Sequence, residues 1–123
     1  MSAPARSVAI FGYYLFGVAL GLMFAPNLLL VPLGFAPVVD VWARVVGALA
    51  LVIGVYYLVA AKNELEPMLR ASVPVRASVI FVFGALVALG LAPPALLGFA
   101  VVDLAAAFWT ASTFARTAAK APA

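Results

Sequence analysis

The chain contains no cysteine and no histidine. Disulfides, thiolate chemistry, haem ligation through histidine and the common zinc sites are thereby excluded together. Charge is scarce as well: 9% of the 123 residues are charged, against about 25% in an ordinary soluble domain. Chemistry is left to four acids, seven bases, hydroxyls and aromatics. No catalytic residue, metal site or cofactor is expected from such an inventory.

What the chain has in excess is apolar length. Hydrophobic residues make up 68% of it, and the mean hydropathy is +1.26. Proline, glycine and charge divide it into four apolar segments, about 8–25, 41–61, 75–92 and 95–115. Each approaches the ~20 residues that carry a helix across ~30 Å of hydrocarbon. The expected fold is all-α: one domain over 1–123, an integral membrane bundle of four transmembrane helices. The first segment is too long for the h-region of a signal peptide, and Phe24-Ala25-Pro26-Asn27 is a poor cleavage site, so it is read as a retained span.

Between spans one and two lies APNLLLVPLGFAPVV, bracketed by Pro26, Pro32 and Pro37. Proline removes backbone donors and restricts the preceding residue, which argues against one continuous helix. A short hydrophobic interfacial helix or turn, or a linker without a role, is expected there. Pro67 and Pro74 similarly bracket MLRASV, read as a short surface segment ahead of span three, with Arg76 at that span's end. Pro93-Pro94 joins spans three and four into a helical hairpin. Gly17-x-x-x-Gly21 offers a face for close helix packing.

Alternating spans place Arg6, Lys62, Arg70, Arg76, Arg116 and Lys120 on one side. The positive-inside rule then puts both termini in the cytoplasm of a multi-pass protein, with a bacterial inner membrane as the expected location. These bases flank apolar spans and form no patch with interleaved aromatics, so nucleic acid is not an expected partner. The lipid bilayer is one, together with a second copy or a larger membrane complex.

Two ionisable residues break the apolar pattern. Arg44 and Asp103 each lie on the order of 8–12 Å inside their spans, in the same leaflet. An intramembrane charge normally faces the bundle interior and finds a partner. Gly47, Ala48 and Gly54 share the Arg44 face, and Ala106, Ala107 and Thr110 share that of Asp103. The two small-residue stripes are expected to face each other, with Asp103 holding Arg44. Two other arrangements are open: Asp40 at i−4 pairs with Arg44, or Arg44 snorkels to the headgroups while Asp103 stays protonated. The candidate ligand-binding set is Arg44, Asp103, Asp40, Trp42, Tyr56, Tyr57 and Thr110, with Asn27 nearby. A pair that only fixes helix register is the competing reading.

The series FAPNLLLVPLG, WARVVGALALVIGVYYLVAA and VVDLAAAFWT resembles small four-helix bacterial membrane proteins of the broad DoxX-like group. The likeness rests on Trp42-x-Arg44-x-x-Gly47, on Gly54-x-Tyr56-Tyr57, and on Asp103 followed by Trp109-Thr110. It implies a four-helix inner-membrane bundle, some of whose relatives accompany membrane-bound oxidoreductase systems, and it transfers no catalytic residue. The expected function is that of a small inner-membrane structural or accessory protein with a buried polar site. The alternative is a binder or transporter of a lipid or a small hydrophobic or anionic ligand.

Overall fold

The structure, a computed structural model, describes residues 1–120 except for the side chain of Lys120, so that charge lies outside the described residues. The first helix, α1 (Ala3–Phe24), starts earlier than its apolar run because Ser2 caps it, its hydroxyl accepting the Ala5 N–H at 3.2 Å. Pro26 ends it by holding Ala25 out of the helical region. The chain continues as the short helix α2 (Pro26–Leu30) and one 3₁₀ turn, Val31–Leu33. Asn27 then clasps the returning chain: it accepts the Val38 N–H at 2.6 Å and donates to the Val38 carbonyl at 3.2 Å. The segment between spans one and two is thus an ordered cap on the bundle's end.

Helix α3 (Trp42–Lys62) begins after Val41, and just ahead of it Asp40 Oδ1 accepts the Trp42 N–H at 3.1 Å. It stops in a turn where Leu65 N–H returns to the Ala60 carbonyl at 2.9 Å and Glu64 takes the left-handed conformation, φ 52°. Gly34 (φ 99°) and Gly90 (φ 74°) fill the same position after the 3₁₀ turn and after the helix that ends at Ala88, where no Cβ resists it. Glu64 has a reason of its own to be there. Its carboxylate accepts the Ser2 N–H at 2.7 Å and ties the amino-terminal end to this turn.

That hydrogen bond from Ser2 N–H holds the Glu64 carboxyl below the usual glutamate value of 4.5. A pKa depressed by folding contributes stability that is present above the unfolded value and is lost as pH falls through the folded one. Glu64→Gln is therefore expected to lower thermal stability slightly at neutral pH. The gap from the wild type should close below pH 4.5 in paired melting curves, and a gap that widens there would contradict the bond's role.

Helix α4 runs unbroken over Glu66–Ala88, and this corrects the expected break at MLRASV. Pro67 occupies the first turn, where its missing donor costs nothing, and Pro74 lies inside the helix. Pro74 forfeits one backbone bond, a loss transmembrane helices accommodate. Gly90 and Pro93-Pro94 then turn the chain into α5 (Leu96–Lys120). Among the described residues the protein is all-helical, with four helices long and apolar enough to cross a membrane. Only 11–39% of each span is buried. The remainder presents large apolar side chains such as Ile10, Leu49, Phe81 and Phe108 outward, a surface suited to lipid rather than water.

The four long helices form a square in which α1 packs on α3, α4 on α5 and α1 on α5, with α3 meeting α4 only lightly. Helices α3 and α5 therefore stand diagonally. The α1–α3 seam is the tightest. A Cβ added to Gly47 would lie 2.9 Å from the Ala19 carbonyl oxygen, and one added to Gly54 3.2 Å from that of Gly12. Gly17, expected at a packing face, has open space around it, and Gly21 accommodates Leu29 of α2 instead.

Candidate functional site

The polar interior is built from hydroxyls and one cation. Arg76 is ten residues into α4, counted from Glu66, so it stands about 15 Å from that end of the helix, and through Thr110 it is joined to Ser7 in the second turn of α1. It is 2% exposed. Its Nε donates to the Ser72 carbonyl at 3.1 Å, and Nη2 donates to Ser72 Oγ at 3.0 Å and Thr110 Oγ1 at 2.8 Å. The guanidinium also lies 4.9 Å from the Phe11 ring centre and 5.8 Å from that of Tyr57. All four spans thus contribute to one cation's environment.

The direction of the hydrogen bonds follows from proton counting. Ser7 gives its single hydroxyl proton to the Pro4 carbonyl at 2.7 Å. The 2.7 Å Ser7–Thr110 contact must then carry the Thr110 proton. A chain runs from guanidinium to Thr110, to Ser7, to the first turn of α1. Nη1 of Arg76 is buried without a hydrogen-bond partner, and among the described residues the one ion pair within 4.0 Å is Arg70–Glu66 on the α4 surface. Asp103 is the carboxylate that lies within a span away from its ends.

Toward the capped end lies a cavity of about 280 Å³. Tyr14, Phe35, Phe83 and Phe99 supply aromatic wall, Val18, Leu22, Leu30 and Val46 aliphatic wall, and Ala43 and Ala50 leave room. Apart from the Tyr14 phenol, its polar lining group is Asp103, two turns along α5 from Thr110. Leu30 and Phe35 belong to the capping segment, and Phe35 meets Phe99 of α5 with ring centres 6.4 Å apart. The clasp at Asn27 therefore positions part of the cavity's lid.

The expected Arg44–Asp103 pair does not form. Arg44 is exposed and donates to the Met23 carbonyl of α1. The Gly47–Gly54 stripe beside it faces α1, while the Asp103–Thr110 stripe faces α1 and α4, because α3 and α5 are diagonal. Asp40 does not pair with Arg44 either. It precedes the helix, where i−4 geometry does not apply, and it accepts the Trp42 N–H instead.

Of the remaining candidates, Trp42 is 67% and Tyr56 59% exposed, on the outside of the bundle. Tyr57 and Thr110 are buried at the level of Arg76, below the cavity. Asp103 alone of the set lines the cavity. Arg76 is the residue sequence reasoning misplaced. Ser72 at i−4, on a helix continuous through Pro74, was the available signal. No protein-family model, no curated protein and no solved structure matches the chain.

Proposed function

We propose that this multi-pass membrane protein holds a small lipophilic ligand in the cavity beneath its capping segment. The observation that carries the reading is the cavity itself. About 280 Å³ of largely apolar, partly open space is lined by all four spans and the cap, with a carboxylate in its wall. That volume sits at the small end of ligand pockets, which run from about 300 Å³ upward and combine apolar walls with few polar groups. The likeness to the DoxX-like group supports a bacterial inner membrane. Exposed Arg6, Lys62, Arg70 and Arg116 at the end that carries both termini support a cytoplasmic position for that end.

The structural or accessory role is the second reading. What favours it is the Arg76 network, which accounts for most of the buried polar groups as a clamp between helices, with no ligand required. Co-purification with a larger complex, or with a second copy at fixed stoichiometry, is its expected signature.

The test is to fill the cavity. Naphthalene should bind saturably to the purified protein in lipid nanodiscs, by calorimetry with empty nanodiscs subtracted. Ala50→Phe places a ring in the space and is expected to weaken binding by about tenfold or more, with the unfolding temperature unchanged or raised. Undiminished binding by this variant would sink the cavity reading.

A further inference from the structure

Resting on the reading of the cavity as a ligand site, we propose that its occupant is a small, electrically neutral aromatic lipophile that presents one hydrogen-bond donor to Asp103. Neutrality follows from the charges inside the bundle. Away from the helix ends, the spans carry Arg76 and Asp103, whose formal charges cancel. A charged occupant would leave the sum unbalanced in a low-dielectric interior, where an uncompensated charge is costly.

The donor follows from what Asp103 lacks. Among the described residues no side chain or backbone group donates a hydrogen bond to it, although it lines the cavity and is only half-buried. An ionised carboxylate accepts and cannot donate. The polar group it receives must therefore bring a proton, as a phenol, alcohol or ring N–H does. Arg76 sits too deep to take the ligand's place. Its Nε and Nη2 are engaged by Ser72 and Thr110, it is not among the cavity's lining residues, and its own nearest aromatic faces are Phe11 and Tyr57.

The aromatic body follows from the walls. Tyr14, Phe35, Phe83 and Phe99 come from α1, the cap, α4 and α5, so a flat ring meets aromatic faces and edges from several directions. Rings and a carboxylate together would also suit an ammonium group. Here the positive charge that balances Asp103 is already built into α4, which favours the neutral donor.

The test uses three probes built on one naphthalene ring, on the whole protein in neutral-lipid nanodiscs at pH 7: 2-naphthol, 2-fluoronaphthalene and (2-naphthylmethyl)trimethylammonium. 2-Naphthol is expected to bind about 10–100-fold more tightly than 2-fluoronaphthalene, the range for a hydrogen bond to a charged group. In Asp103→Leu the ratio should fall to about one. Because that variant strands the Arg76 charge, the double variant Arg76→Met/Asp103→Leu, which removes both charges, is measured beside it and should show the same ratio. Equal binding of 2-naphthol and 2-fluoronaphthalene by the wild type would overturn the donor assignment and leave the cavity reading standing. Tightest binding of the ammonium probe would overturn neutrality. A preference for 2-naphthol that survives in the double variant would overturn the role of Asp103, and binding of none of the three would remove the cavity reading itself.

Discussion

Gly47→Ala is expected to destabilise the bundle by about 1–3 kcal/mol, as overpacking of a close-packed seam does. The added Cβ would lie 2.8 Å from Met23 Cγ, 2.9 Å from Leu22 Cβ and 2.9 Å from the Ala19 carbonyl oxygen. Met23 can swing aside, but the Ala19 oxygen is backbone, so relief requires α1 and α3 to separate. Separation would also stretch the Arg44 bond to the Met23 carbonyl and widen a cavity walled by both helices. Gly17→Ala is the internal control. Its Cβ would meet nothing within 4 Å, and alanine is the better helix former by about 1 kcal/mol, so stability should hold or rise. Unfolding of the three proteins in SDS titrations from mild detergent measures both. A Gly47→Ala protein as stable as the wild type would mean that the seam is not close-packed.

The four spans were legible because lipid sets a length and a composition, and the chain meets both four times. What apolar periodicity could not supply was which faces meet. In water a polar face marks the outside of a helix, whereas here every face is apolar and small residues are the remaining guide. Gly17-x-x-x-Gly21 and the Gly47–Gly54 stripe look equivalent in sequence, yet only the second packs against another span. Pro74 misled for a related reason. Proline breaks helices where water competes for freed backbone groups, but a helix packed within a membrane bundle can carry it.

The candidate site was half legible. Asp103 stood out as an acid within an apolar run, and it does line the cavity. Its assigned partner was wrong because pairing was inferred from shared depth and small neighbours, without helix adjacency. Arg76 was hidden by its position near an apparent span end, a place where basic residues ordinarily meet headgroups. Extending α4 back to Glu66 leaves the same residue ten positions inside a helix, buried against Ser72 and Thr110. Tyr56 and Tyr57 show the limit of local patterns too. Neighbours on a helix point about 100° apart, and one is 59% exposed while the other is 9% exposed.

Arg76→Ala is expected to cost about 3–5 kcal/mol, and Arg44→Ala no more than about 1 kcal/mol. For Arg76 two effects compete. Burying a cation with no carboxylate within 4.0 Å is expensive, which by itself would make its removal favourable. Against this stand three hydrogen bonds, two aromatic faces and the volume of the side chain at the meeting point of four helices. Truncation to alanine discards all of these, opens a void, and leaves Asp103 without the positive charge that balances it, so destabilisation wins. Arg76→Met separates the terms by keeping the volume while removing the charge, and it should recover part of the loss. Asp103→Leu alone should be destabilising because the buried guanidinium then lacks a counter-charge, whereas Arg76→Met/Asp103→Leu should be more stable than the two single losses sum to. Unfolding free energies of these variants close the cycle. Strict additivity would mean that Arg76 and Asp103 act independently, and a larger cost at Arg44 than at Arg76 would return the charge centre of the bundle to α3.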